Sequence, residues 1–437
     1  MYAAAAKIDI TPEGPVWMDG MLRAHRSEGV HDPLYVRALV LSPSTNPAEA
    51  VAFVSIDVCA LKTEVTEPAR QAAAAAGIPA ERVILHATHT HSGPAALGYF
   101  NPREEEWVAR MVAAVGEAVG QALASLKPAR LGLASGSEGT IMFYRRLLAD
   151  DGHVVMNWEP YPPEKLVGPL GEVDPEVGVL RVVAADNGAT VATLFNHAGH
   201  PNVLSGDSYI ISAEYPGVAE AAVEAACGGL ALFFNGAQGT MDIDGLRDRD
   251  LEGMDRIGGL LGQAVVETAK TIDPVDSLPL QVLVDRYSVP ARKITAEEWS
   301  WAQAILEQTG GKIEFLADGV GDDYVAVLYR DLRAREDQPI PVEQTCVALG
   351  DSAFLTFPGE MYTETGLEIK ARSPFARTYI IGLSNGHIGY VPPAKAIAEG
   401  GYAEVTRQTD VTAEAIIVER SLALLEQAHA KNVQPQE

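Results

Sequence analysis

Apolar residues along the 437-residue chain fall into two alternating rhythms. Short, near-continuous apolar runs read as buried strands at Val51–Val58, Val83–His86, Gly178–Val183, Val191–Phe195 and Ala231–Phe234. Between them lie stretches that read as helices: Ala-rich Ala69–Ala76, then Glu104–Leu126, Pro216–Ala226 and Gly253–Thr271. In the second of these, Trp107, Met111, Val115, Val119 and Leu126 recur at helical spacing. The alternation predicts an α/β fold with a mixed, partly parallel sheet flanked by helices.

Elsewhere the rhythm changes. Residues 1–50 read as loop-rich, with one strand at Val36–Leu41. Residues 135–176 are irregular, a length typical of a functional loop or cover. In residues 275–345, strands at Leu280–Val289 and Tyr324–Tyr329 flank a helix opened by the capping box Thr295-x-x-Glu298. That segment reads as an inserted α+β subdomain. The core pattern then returns at Val347, Phe354–Phe357, a helix Met361–Ala371, a strand Tyr379–Leu383 and a helix Ala413–Ala428. No repeat or linker divides the chain, so 1–437 reads as a single catalytic domain containing the 275–345 subdomain.

Polar residues gather where strands end. The stretch His86-Ala87-Thr88-His89-Thr90-His91-Ser92-Gly93-Pro94 follows one apolar run and holds three of the ten histidines. In extended chain His89 and His91 project to one face, which suits a metal ion or a proton-transfer site. A second cluster, Asn196-His197-Ala198-Gly199-His200-Pro201, follows another run, with Asp207 and Glu214 in the polar loop beyond it. A third, Pro358-Gly359-Glu360, delivers a carboxylate that either caps a helix or enters a site. A fourth, Ser384 to Tyr390, offers His387 and Tyr390. Arg145-Arg146, in the irregular region, is either a solvated pair or part of the site. Strand ends are where distant segments of an open α/β sheet converge, so a site is expected there.

Charge then narrows the partners. The formal net charge is −26, which argues against nucleic acid and against electrostatic attachment to anionic lipid. Cys59, Cys227 and Cys346 are scattered and odd in number, so no disulfide framework or cysteine zinc site is expected. The N-terminal apolar run is too short for a signal peptide, and no stretch is long enough to span a membrane. A cytoplasmic protein acting on a small molecule is the expectation.

The clusters, taken together, resemble neutral/alkaline non-lysosomal ceramidases, and more closely their short bacterial relatives. His89-Thr90-His91-Ser92-Gly93-Pro94 is similar to the most specific motif of that family. Ile10-Thr11-Pro12, Asp32-Pro33-Leu34, Asn196–Pro201, Ile211–Gly217, Pro358-Gly359-Glu360 and Gly382–Tyr390 follow in the family's order. The resemblance spans most of the chain except roughly 275–345. It implies one zinc at the strand ends, held by His89, His200, Glu360 and Tyr390. His200 is preferred to His197 by its interval to Glu214. His, Glu and Tyr also suit other divalent ions. His91 would lie beside the metal as oxyanion partner or proton shuttle, and His197 or Asp57 would orient a ligand.

One position departs from the family. Its loop Asn-Ala-Gly-Asp-Met-Ser-Pro corresponds here to Ala237-Gln238-Gly239-Thr240-Met241-Asp242-Ile243, which puts Asp242 in place of the serine. Asp242 would act as a base, hold a water, or bind a second divalent cation with Asp244. The chain is also expected to lack the β-sandwich domain of full-length members. The leading expectation is therefore a zinc-dependent hydrolase cleaving an amide, lactone or ester of a small soluble substrate through a metal-activated water. One alternative is a true N-acylsphingosine amidohydrolase. The other is a non-catalytic sensor with a degenerate site, which the missing serine favours and the four-ligand set opposes.

Overall fold

A computed structural model describes residues 1–243, 247, 249–314, 316 and 318–433. Two sheets lie at its centre. The larger comprises β1 (Tyr2–Asp9), β2 (Tyr35–Ser42), β3 (Val51–Ile56), β4 (Val83–Ala87), β5 (Lys127–Ser137), β6 (Glu176–Ala184), β7 (Thr190–His197) and β8 (Leu230–Asn235). Their order across the sheet is β8-β7-β6-β5-β1-β2-β3-β4. The two outermost pairs, β3/β4 and β7/β8, are parallel, and the other neighbours are antiparallel. The smaller sheet runs β9 (Leu280–Val289), β10 (Ile340–Leu349), β11 (Ser352–Thr356), β12 (Arg377–Ile381), with β11/β12 parallel.

The sheets face each other through one core, in which Phe53, Ile84 and Phe234 meet Val347, Phe354 and Tyr379. The rings of Phe53 and Phe354 lie edge to face at 5.3 Å. Helices cover the outer faces. α1 (Thr63–Ala74) and α2 (Glu105–Ala124) pack on the β1–β4 half. α3 (Glu214–Cys227) and α4 (Leu251–Lys270) pack on the β6–β8 half. Between β9 and β10 the chain forms α5 (Ala296–Thr309) and α6 (Asp322–Arg333), which share a small core around Ala302, Val325, Ala326 and Leu332. α7 (Thr363–Arg372) and α8 (Ala413–Val433) cover the smaller sheet. Among the described residues no helix is long and apolar enough to cross a membrane.

The expected α/β fold with a partly parallel sheet is therefore present, and local differences have physical causes. The first 50 residues hold a strand beyond the one expected at Val36–Leu41, since β1 pairs with β2 along its whole length, while most of 10–34 is loop. The β1 sequence, Tyr-Ala-Ala-Ala-Ala-Lys-Ile-Asp, has few of the β-branched residues that announce a strand. The expected strand Tyr324–Tyr329 lies inside α6. Its run of Tyr, Val and Leu fits either element, but Asp322 and Asp323 open a helix and Arg330 and Arg333 close it with the favourable charge order. Residues 135–176 contain a three-stranded sheet built from Arg146–Ala149, Val154–Met156 and Leu166–Pro169. Glu360 caps no helix: α7 starts at Thr363, and Glu360-Met361 run parallel to Tyr390-Val391.

His86, on β4, is an internal strut. Its Nδ1 donates to the Gly382 carbonyl at 2.8 Å and its Nε2 accepts from the Asn235 N–H at 2.9 Å. Burial pushes its pKa from the usual 6.5 down to about 3. Protonation would set a second ring N–H against the Asn235 N–H. The folded pKa lies below the unfolded one, so His86 stabilises the fold above pH 6.5 and that contribution is lost as pH falls toward 3. The full span is about 5 kcal/mol. The His86 ring is expected to be neutral at pH 4 by NMR; a ring titrating near 6.5 would contradict this.

Candidate metal centre and substrate cleft

The carboxyl ends of five strands deliver the site. His89 and His91 follow β4, His200 follows β7, Asp242 follows β8, Glu360 follows β11, and His387 and Tyr390 follow β12. The outer parallel pairs are buried on both faces, so side chains that are to meet a ligand come past the strand ends. His89 is not extended, as its spacing had suggested. Its φ is +77°, and its N–H bonds to the Val58 carbonyl at 3.0 Å. This turn, rather than strand alternation, brings His89 and His91 together, with their Nε2 atoms 3.3 Å apart.

Two histidines are oriented by backbone. His89 Nδ1 lies 2.8 Å from the Cys59 carbonyl. His200 Nδ1 lies 2.8 Å from the Met241 carbonyl and 3.1 Å from that of Gln238. Donating at Nδ1 leaves each Nε2 with a lone pair, and both face Glu360 Oε2, at 3.4 and 3.2 Å. These three atoms lie within 4.8 Å of one another, and all three residues are buried. Glu360 Oε2 receives no hydrogen bond. Burial, with Arg145 nearby, lowers the pKa of His200. Two lone pairs and an unpartnered carboxylate oxygen, buried and facing each other, are the donor set a divalent cation satisfies. Tyr390 Oη stands 3.2 Å from His200 Nε2. Burial pushes its phenol well above the usual value, against the pull of Arg145.

The other candidates divide sharply. His91 joins the cluster: Gly20 packs so closely that a Cβ there would fall 2.4 Å from its Cγ. Burial first, then His89 and His200, lower its pKa well below 6.5, and its Nδ1 has no partner. His387 Nε2 lies 3.6 Å from Glu360 Oε1. Arg145 is buried, with Nη1 3.3 Å from His200 Nε2 and 3.9 Å from Asp242 Oδ2, and its guanidinium lies over the rings of Tyr390 and Trp158. Burial opposes its charge, but Tyr390 and Asp242 more than restore it. Asp242 Oδ1 accepts from the Ile243 N–H at 2.8 Å, while Oδ2 has no hydrogen bond. Asp244 lies outside the described residues.

Three candidates are corrected. Asp57 Oδ2 accepts from Arg37 Nη1 and from the Tyr35 N–H, both at 2.7 Å, and serves the core instead of a ligand. His197 turns away, its Nδ1 on the Glu176 carbonyl at 3.0 Å, because it still belongs to β7. Arg146 is neither solvated nor at the metal cluster. It is buried and bonds to the Ala396 and Gly400 carbonyls and Glu399.

Two residues matter that sequence reasoning gave no role. Asn235 donates from Nδ2 to the Gly199 and Thr88 carbonyls and accepts at Oδ1 from the Gly199 N–H, tying both histidine loops together. Glu214 accepts from Ser92 Oγ and from the Val203 and Leu204 N–H groups, a second tie between them. Their signal was faint: a polar residue ending an apolar run, and an acid in a loop. Cys59 Sγ lies 3.7 Å from His89 Nδ1, but burial raises its thiol well above the usual value, which disfavours a thiolate ligand.

Residues 4–235 match the model of the neutral/alkaline non-lysosomal ceramidase family, N-terminal region. The chain belongs to that family. As a ceramidase-family hydrolase it also has close structural neighbours. The neutral ceramidase from Pseudomonas aeruginosa superposes with a TM-score of 0.72 at 18% identity, over 98% of this chain and 74% of that one. A ceramidase complexed with C2 gives 0.73 at 18% identity, over 98% and 75%. At such identity the likeness speaks for the fold. No curated protein matches the chain by sequence.

Proposed function

We propose that this family member is a metal-dependent amidohydrolase acting on a ceramide-type N-acyl amide. The supporting observation is the buried meeting of His89 Nε2, His200 Nε2 and the unpartnered Glu360 Oε2. Family membership favours the N-acylsphingosine reading over a small soluble amide, lactone or ester. The complete donor set, with a charged arginine beside it, argues against a non-catalytic sensor. The reading treats 1–437 as one catalytic domain, since residues 89 to 390 all contribute.

In this proposal His89, His200, Glu360 and Tyr390 hold one divalent cation, zinc by its donor set. When bound, the ion supplies Lewis acidity to a carbonyl and to a water. Arg145, held charged, stabilises negative charge developing on the carbonyl oxygen. His91, held neutral, moves a proton through the Nε2 that faces the cluster. Asp242 stands where the family's loop carries serine, and its Oδ2 holds or accepts a proton of the attacking water. Ser92 and Asn235 keep the two histidine loops in register.

The test is direct. The purified protein, shown to contain zinc by elemental analysis, is expected to release fatty acid and sphingosine from N-acylsphingosine. A chelator should abolish the release, and added zinc should restore it. A zinc-loaded protein that releases neither product would overturn the proposal.

A further inference from the structure

The metal cluster lies between two lobes of unequal size. The larger, about 150 Å³, is walled by Leu97, Phe100, Ile313, Val327 and Leu328. The smaller, about 50 Å³, holds Arg145, His200, Asn202 and Asp242. α6 roofs the larger lobe, because Val327 and Leu328 both come from it. Tyr324 of the same helix stacks on Phe100, with centroids 5.1 Å apart and planes 12° apart, which fastens the roof to the loop after the histidines. Asp331, Arg335 and Gln408 also line this lobe, and a volume of about 150 Å³ accepts a guest of benzene's size. A long acyl chain does not fit beneath this roof.

The smaller lobe continues differently. It shares Trp158, Tyr402, Asp318 and Gly319 with a groove of about 920 Å³ between the Val154–Met156 strand and α5/α6. Trp158, Trp301 and Val325 give this groove apolar walls, and Glu159, Glu297 and Asp322 give it negative charge, while Asp318 is paired with Arg249. Its described lining residues include no Lys, Arg or His. Amide hydrolysis adds water across the C–N bond: R–CO–NH–R′ + H₂O gives R–COO⁻ + R′–NH₃⁺. Of the two products, only the ammonium ion suits an acidic, aromatic groove.

Resting on the amidohydrolase reading, we propose that the cleft sorts the two halves of its substrate. The lobe under α6, with its small volume, takes the acyl group and limits it to about six carbons. The open groove takes the amine half, which is free to carry a long chain.

The experiment compares acetyl-, hexanoyl- and palmitoylsphingosine as substrates, with hexanoate, dodecanoate and dodecylamine as ligands in calorimetry. Hexanoylsphingosine is expected to give the highest kcat/KM, with palmitoylsphingosine at least tenfold lower. Leu328→Ala and, separately, Val327→Ala should raise the longer chain relative to the shorter by about fourfold per methylene newly accommodated. Trp301→Ala should weaken dodecylamine binding about tenfold and leave hexanoate unchanged. Equal rates on hexanoyl and palmitoyl substrates, with both α6 variants silent, would overturn the acyl limit. Unchanged dodecylamine binding in Trp301→Ala would overturn the groove. If no amide is cleaved, the functional reading fails by itself, and the carboxylate series still decides the lobe. Hexanoate preferred over dodecanoate, with that preference relaxed by Leu328→Ala, supports the limit, and equal binding refutes it.

Discussion

Glu360→Gln is expected to yield a folded protein that has lost its metal and its hydrolase activity. The loss should exceed the roughly 10²–10³-fold that one oxyanion-stabilising donor supplies, because the substitution removes the carboxylate that, among the described residues, stands at the meeting point of two histidine lone pairs. The same change has an opposite effect on the metal-free protein. There Glu360 is a buried anion whose Oε2 has no hydrogen bond, 3.2 Å from His200 Nε2 and 3.4 Å from His89 Nε2. A neutral amide of the same volume removes that anion and can donate to one ring nitrogen. Without metal, Glu360→Gln should therefore unfold at or above the wild-type temperature, and only metal should restore the wild-type advantage. His200→Ala should lose metal and activity too, but at some cost in stability, since it strands the Met241 carbonyl. Elemental analysis with thermal unfolding, with and without chelator, checks both variants. A Glu360→Gln protein that retains wild-type metal would reject Glu360 as a ligand.

The parts of this site legible in the sequence were those set by local pattern. The parallel pairs β3/β4 and β7/β8 are buried on both faces, so their apolar runs stood out, and the polar clusters after them marked the strand ends. Nothing local marked β5, whose Lys-Pro-Ala-Arg-Leu-Gly-Leu-Ala-Ser-Gly-Ser sequence has no β-branched residue, although its pairing with β6 is continuous. The choice between His197 and His200 was settled by family resemblance. The physical reason is that β7 continues through His197, so its ring stays within the strand while His200 has passed the end. The helix α6 was hidden because an apolar run of six residues fits a strand or one face of a helix equally. That hidden helix is the roof of the cleft, so the sequence spoke to the chemistry of the bond more clearly than to the shape of the substrate.

Asp57 was the most reasonable error, and it leads to the largest expected effect on stability. An acid directly after a buried strand could serve the site or the core, and here Arg37 decides. Arg37 Nη1 lies 2.7 Å from Asp57 Oδ2 and its Nη2 lies 2.8 Å from Glu220 Oε2, with all three residues buried. Glu220 Oε1 also accepts from the Phe233 N–H at 2.9 Å. One guanidinium thus joins β2, the end of β3, α3 and β8. Arg37→Met is expected to cost about 3–5 kcal/mol, because it strands two carboxylates where water cannot reach them. That is a large fraction of the roughly 5–15 kcal/mol typical of a folded protein. Burial pushes the Glu220 carboxyl up and Arg37 draws it back. Without Arg37 only the Phe233 N–H still opposes the upward push. A carboxyl raised in the fold favours folding below its unfolded pKa and loses that contribution as pH rises through its folded pKa; Glu220 is pushed up to about 8 even with Arg37 in place, so the deficit of Arg37→Met should widen above about pH 8. Neutralising the stranded acids should recover most of the loss: Arg37→Met with Asp57→Asn and Glu220→Gln keeps the acceptors for Tyr35 and Phe233 and leaves no buried charge. Denaturant unfolding of the single and triple variants at about one pH unit below and above pH 8 checks this. A single variant within 1 kcal/mol of wild type, or a triple variant no better than the single, would show that the arginine is not what holds these acids in the core.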